Sequence, residues 1–377
     1  MDRAKLAHLR FPVSASRGRR YPELPHSYRD DFQRDRDRIV HARAFRRLED
    51  KTQVFTPGLS DHFRNRLTHT IEVAQIARTA ASALGLDETL TEALALAHDI
   101  GHPPFAHAGE DELDRQMRRF DDRFDHNLHS LRIVESFEQR YARFPGLNLT
   151  FEVREGMAKH SRDFEPGEIP ELDEYAPGLK PPLEAQLIDL ADEIAYNTAD
   201  LDDGVSAGFF TVDELAAEVP EYREISESVE TQFAGAADRV RFLECLRELI
   251  DVLVSGLIDG TFAKAQGVNS VEEIRRSPVR LTAFTPEADA VNSALKQFLK
   301  RKVYFSDLLA IERTHSATMI AELFRYFLDH PDRLPDNYVE SREPLHRKVC
   351  DYLAGMTDGY FRRVYGQLIR PIPPLVG

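Results

Sequence analysis

Residues 98–110, HDIGHPPFAHAGE, place His98, His102 and His107 beside Asp99 and Glu110, with two prolines and two glycines among them. Imidazole and carboxylate together suit a divalent transition metal, manganese or magnesium. Neighbouring residues on a helix point about 100° apart, so His98 and Asp99 can reach one ion only where a helix is ending. Gly101 and Pro103-Pro104 end it there. Two more ligands must come from other segments. His69 stands in the opening turns of RLTHTIEVAQIARTAASAL (66–84), and Asp192 sits in the apolar run LIDLADEIAY, where a carboxylate is costly to bury alone. A His-Asp dipeptide by itself is an ordinary coincidence; His69 and Asp192 give it weight. His107 and Glu110, at i and i+3 on the opening turn of the next helix, share a face, so the carboxylate can orient the imidazole. Taken alone, that pair reads equally as a helix cap beside a solvent-facing glutamate.

Helices must position these groups, because three- and four-residue apolar spacing dominates the chain. In 66–84 the repeat runs Leu67, Ile71, Ala74, Ala77, with Gly85 as the stop. A second helix covers 87–100 and a third begins near Ala108. Others are expected over 127–142, 150–160, 183–203, 228–265, 286–302, 315–329 and 345–369. Thr285-Pro286-Glu287 is a helix start, with a hydroxyl cap and proline at the first position. Residues 162–182, rich in Pro, Glu and Gly, read as a long surface loop. No alternating run is long enough for a sheet. The expected fold is all-α: a basic segment over 1–39, a helical core over 40–205 and a helical C-terminal section over 206–377 packed on it.

The bulk numbers narrow the function. Residues 1–50 carry a balance of +5, which leaves −20 for the remainder of a chain whose net charge is −15. So acidic a body argues against a general nucleic-acid surface, with a narrow groove for single strands as the remaining alternative. An anionic ligand would need local arginines and a metal. No apolar run reaches the ~18 residues of a membrane span, and MDRAKLAHLRFPVS lacks a signal-peptide core. Cys245 and Cys350 suggest buried free thiols in a reducing cytoplasm. Nine of the 14 histidines, His41, His62, His129 and His160 among them, fall in residues 41–160, more than even spacing would place there, although a scattered histidine is usually a polar surface or capping residue.

Four collinear motifs carry a resemblance: RLTHTIEVAQIAR, HDIGHPPFAHAGE, FDHNLHSLRIVE and LADEIAYNTADLDDG. Together they resemble the HD-domain deoxynucleoside triphosphate triphosphohydrolases, the bacterial dGTP triphosphohydrolases above all. The segments 32–55 and 351–360 (DYLAGMTDGY) resemble that family's flanks, so the likeness runs from about residue 16 to 365. It implies an HD-domain core and one divalent ion on His69, His98, Asp99 and Asp192. Manganese or magnesium comes first, and cobalt, nickel, iron or zinc remain open. It implies His107 and Glu110 as the catalytic pair, and His102, His126 and Arg66 along the phosphates. Tyr196 would close the sugar's 2′ side, Asp200 would accept from the 3′-hydroxyl, and Gln53 would read the sugar edge. Ordinary packing for Tyr196, a supporting role for His102 or His126 and a surface place for Arg66 are the bland alternatives. Three positions depart from the family pattern: Ala106 where glycine is frequent, Ala199 where a histidine is common, and Gly359 where an arginine is common.

The reaction so implied is hydrolysis of a dNTP to deoxynucleoside and inorganic tripolyphosphate, by attack of water at the α-phosphorus. An imidazole at His107 could take the water's proton or protonate the leaving 5′-oxygen. The rivals are another HD-type nucleotidase or phosphodiesterase, and a non-catalytic dNTP sensor. The family's members are oligomers, so a homo-oligomer (tetramer or hexamer) is expected, with a regulatory dNTP as a further partner. The arginines of 34–38 and 46–47 are candidates for a subunit boundary or that regulatory site, or are merely solvated.

Overall fold

The computed structural model describes residues 5–54 and 63–369; His62 and Phe55 lie outside the described residues. Local sequence sets many helix ends. Asp30 and Gln33 form a reciprocal cap that opens α1 (Asp31–Val40), which is followed by the short α2 (Arg43–Arg47). Asn65 and Thr68 do the same for α3 (Arg66–Leu84), which stops at Gly85 with φ 81°. Asp87 caps α4 (Glu88–Ala97). Then come α5 (Ala106–Met117), α6 (His126–Arg132), α7 (Phe151–Ala158) and the long α8 (Leu183–Ser206). The second half holds α9 (Val212–Glu218), α10 (Pro220–Gln232), α11 (Asp238–Lys264), α12 (Val271–Arg275), α13 (Pro286–Leu299) and α14 (Asp307–Asp329). It closes with α15 (Asp336–Val339), α16 (Leu345–Ala354) and α17 (Asp358–Leu368). Among the described residues only isolated bridges, and no strand, accompany them, so the fold is all-α as expected. No described helix is long and apolar enough to cross a membrane.

Several expected helices differ. The one over 127–142 stops at Arg132, becomes a wider π-type turn over Ile133–Phe137, and ends. The backbone at 144–147 comes in against it: Leu147 N–H donates to Val134 O at 2.6 Å, and a Cβ on Gly146 would strike Val134 O. The spans 228–265 and 345–369 are each two helices, parted around Gly235 and Gly355. The helix expected at 315 begins eight residues earlier, where Ser306 caps the Leu309 N–H. In α3 the apolar repeat finds part of the buried face: Ala74 and Ala77 are buried and Leu67 packs on the core, but Ile71 is 53% exposed, and Val73, Ile76, Ala80 and Leu84 also point inward. Packing on both α4 and α8 widens the buried arc beyond one stripe. Residues 162–182 form a loop, but it is pinned by buried Phe164, Leu172 and Tyr175. The basic N-terminal segment is not merely solvated, because Arg34 and Arg38 are buried and both pair with Glu23.

Two hydrophobic cores result. The first joins α3, α4 and α8 to α1, α7, α11 and α13 through residues such as Ala77, Leu94, Leu187, Leu253 and Leu295. The second is built by Leu113 and Met117 of α5 against Phe324, Phe327, Leu353 and Phe361 from α14, α16 and α17. His69, His98, Asp99 and Asp192 are therefore held by one core, whereas His107 and Glu110 ride on the other. Cys245 and Cys350 are buried free thiols.

Candidate active site

α4 ends at Ala97, with His98 as its C-cap and Asp99 in the turn that follows. His98 Nδ1 lies 2.6 Å from the Ala95 carbonyl, an acceptor only, so this nitrogen carries the proton. That leaves Nε2 as a bare lone pair, buried and without a partner. It lies 3.5 Å from Asp99 Oδ1 and 3.8 Å from Asp192 Oδ1. His69 Nε2, brought in by α3, is 2.8 Å from that same Asp192 oxygen. Ligand atoms of His69, His98 and Asp99 lie within 4.8 Å of one another, and so do those of His98, His160 and Asp192, spacings at which each set could hold a metal ion. Burial alone would raise Asp99, but His102, His98 and Arg66 hold it well below the carboxylate range. Burial is likewise outweighed at Asp192, which His69 and His98 hold at about 2. Two anionic carboxylates and two imidazoles fit a divalent cation, and the buried orphan at His98 shows what such an ion would satisfy.

A chain of contacts leads from this cluster to the other core. Arg66 donates to Asp99 Oδ2 at 2.7 Å, and Asp99 Oδ1 lies 2.9 Å from His102 Nδ1. His102 stacks on His126, with ring centres 4.0 Å apart. Glu110 accepts both the N–H of His126, at 3.0 Å, and its Nδ1, at 2.7 Å. His107 Nδ1 is 3.8 Å from Glu110, an ion-pair separation, and its side chain is 80% exposed. Glu110 thus grips His126 more tightly than His107, an order that i, i+3 spacing does not reveal. Burial would raise Glu110; the two imidazoles hold it far below the carboxylate range.

The turn into α5 is strained. Phe105 has φ 65° and Ala106 φ 53°, the left-handed region that side chains resist. Ala106 is where the resemblance leads one to look for glycine. Ala106→Gly is therefore expected to stabilise the fold by about 1 kcal/mol, seen as a higher urea midpoint at unchanged slope. A midpoint equal to or below wild type would show that the turn is not strained.

His69, Asp99 and Asp192 line one cavity of about 790 Å³. Gln53, Arg66, His102, His107 and His126 face it, as do Tyr196 and Asp200 one and two turns along α8 from Asp192. Gln53 Oε1 is buried there without a partner. Asp200 accepts from the hydroxyl of Tyr304, a residue of the turn after α13. Burial, above all, pushes Asp200 up to about 7. The unfolded chain gives up this proton near pH 4 and the folded chain near 7, so ionisation costs stability as pH rises between them and adds no further cost above. Asp200→Asn keeps the acceptor for Tyr304. It should gain on wild type between pH 4 and pH 8, by up to about 4 kcal/mol. Denaturant midpoints whose difference stayed constant across that range would refute this.

Comparison with known proteins gives the family. Residues 66–197 match the HD domain and residues 282–367 the phosphohydrolase-associated domain. A deoxyguanosinetriphosphate triphosphohydrolase-like protein of Geobacter metallireducens (strain ATCC 53774 / DSM 7210 / GS-15) is 42% identical over 98% of this chain and 96% of its own. Proteins of the same name from Azoarcus sp. (strain BH72) and Caulobacter sp. (strain K31) are 44% and 45% identical, covering 97% and 92% of this chain and 97% and 91% of their own. The chain belongs to the deoxyguanosinetriphosphate triphosphohydrolase-like family. As a member it is an HD-type metal-dependent phosphohydrolase.

Against that family background, two of the three departures do not line the cavity. Ala199 is buried and does not line it, and Gly359 faces open space. Sequence reading missed Tyr304, which lies 104 residues from Asp200 and has no motif around it. It also gave His160 no role, although the crowding of histidines pointed there. His160 lines the cavity, its ring 5.1 Å from that of His98, and its Nδ1 lies 2.9 Å from Asp189.

Proposed function

We propose that this family member hydrolyses a deoxynucleoside triphosphate, of the dGTP kind, to deoxynucleoside and inorganic tripolyphosphate. Water attacks the α-phosphorus, and the 5′-oxygen leaves. The observation that carries this reading is that one cavity is lined by the ion-donor candidates His69, Asp99 and Asp192 with Arg66 and His102, and also by Tyr196 and Asp200, one and two turns along α8 from Asp192, and Tyr304. A triphosphate and a sugar need such a mixed lining.

A bound divalent ion, manganese or magnesium foremost, would supply positive charge against the phosphoryl oxygens. His69, His98, Asp99 and Asp192 would hold it. Arg66, fixed by Asp99, presents its guanidinium to the same oxygens and offsets the charge that grows on them. His102 and His126, stacked, line the phosphate path. His107 stands exposed at the cavity wall, where a proton moves to the 5′-oxygen or from the attacking water, and Glu110 opposes its positive form. Tyr196 closes the space beside the sugar's 2′ carbon, Gln53 meets the sugar edge, and Asp200 takes the 3′-hydroxyl. A second, regulatory dNTP, a tetramer or hexamer of identical chains and a cytoplasmic setting complete the reading.

The test is to incubate the manganese-loaded protein with each dNTP, alone and mixed, and to resolve the products. Tripolyphosphate with deoxynucleoside supports the reading. Monophosphate or pyrophosphate would move the protein to another HD nucleotidase chemistry, and tight dNTP binding without product would make it a sensor. Turnover confined to the mixture would identify the regulatory nucleotide.

A further inference from the structure

Helix α17 lies in the segment matched by the phosphohydrolase-associated domain, more than 150 residues beyond Asp192, yet its first residue reaches the active-site turn. Asp358 is 7% exposed. Its Oδ1 accepts the Phe105 N–H at 3.0 Å. Its Oδ2 accepts the Thr52 N–H at 3.0 Å and the Thr52 hydroxyl as well. The carboxylate is not occupied in capping its own helix, because Thr357 accepts from Tyr360 N–H there.

The same helix grips Phe105 twice more. Phe361 meets its ring edge-on at 5.2 Å, and the Arg362 guanidinium lies 5.0 Å from the ring centre. Beside Thr52, buried Lys51 donates to the carbonyls of His102 and Ala354. The turn 102–105 is thus tied to 51–52 on one side and to 354–362 on the other. Phe105 and Ala106 both hold left-handed backbone, so an outside bond at the Phe105 N–H is what keeps this disfavoured turn in one geometry. His107 follows two residues later and Gln53 directly follows Thr52.

We propose that Asp358 is a positioning residue for this active site: one carboxylate fixes both the start of the His107–Glu110 helix and the Gln53 wall, from outside the metal-binding helices. Placement of the acid/base pair against the metal cluster then depends on α17. The kinetic part of this inference rests on the proposed hydrolysis; the structural part stands apart from it.

The test is Asp358→Asn in the full-length, manganese-loaded protein, read in two ways. Asparagine keeps the size and one acceptor but turns an NH₂ toward one of the two backbone N–H groups. Hydrogen exchange followed by mass spectrometry should speed up in peptides covering 102–110, while peptides within 70–97 keep wild-type rates. On the substrate found for the wild type, kcat per bound metal ion should fall by about 10- to 100-fold, the scale of an ångström-sized misplacement. KM should change less, because Arg66, Tyr196 and Asp200 stand on helices that Asp358 does not touch. Wild-type exchange over 102–110, or a wild-type kcat, would overturn the inference. If the wild-type chain turns over no dNTP, the functional reading falls and exchange alone decides. If the asparagine variant does not fold, Thr52→Val decides by the same exchange measurement: faster exchange over 102–110 supports the clamp and wild-type exchange overturns it.

Discussion

His98→Ala is expected to leave a folded chain that no longer retains a divalent ion and turns over about 10³-fold more slowly, if at all. The reason lies in how His98 is held. Its Nδ1 proton is committed to the Ala95 carbonyl, and its Nε2 is buried with no protein partner. Such a nitrogen contributes little to the metal-free fold, so its loss is tolerated. It is also the donor that lies within reach of both Asp99 and Asp192. Thermal melts give an independent readout. Manganese at a hundredfold excess over its dissociation constant should stabilise the wild type by about 2.7 kcal/mol and the variant not at all. A variant that kept one tightly bound ion per chain would remove His98 from the ligand set.

His107→Gln should lower kcat by about 10²- to 10⁴-fold, the range found for a general acid or base, with metal content and stability unchanged. Stability is spared because most of this side chain is in solvent. Glu110→Gln should act in the same direction and also disturb His126, since its carboxylate holds that imidazole and its backbone N–H together. Metal content separates this pair from the ligand cluster: ligand variants lose ion and rate together, whereas His107 variants lose rate alone. Wild-type turnover in His107→Gln would take it out of the chemistry.

Much was legible in the residues themselves. The all-α fold followed from apolar spacing, and caps such as Asn65 and the stop at Gly85 set the ends of α3 where the sequence placed them. The break at Gly101-Pro103-Pro104 foretold that His98 and Asp99 would sit on a helix end. His69 and Asp192 were picked out by burial and spacing, and they meet at 2.8 Å. These are local signals, written within a few turns of chain.

What the sequence could not decide is who meets whom across long separations. Spacing paired Glu110 with His107, yet its hydrogen bonds go to His126, which arrives on a different helix. Tyr304 reaches Asp200, and Asp358 reaches Phe105, across gaps of 104 and 253 residues that carry no periodic trace. By itself the sequence determined the all-α class, most of the helices and the break between α4 and α5, and it nominated the side chains proposed to bind an ion and a phosphate. Tertiary structure alone decided that His69, His98, Asp99 and Asp192 rest on one core and His107 and Glu110 on another, so that the candidate site exists only where the two are packed together. The physical reason is that propensity, capping and turn chemistry act over a few residues, whereas contacts between distant segments are chosen by the shape and burial of whole helices.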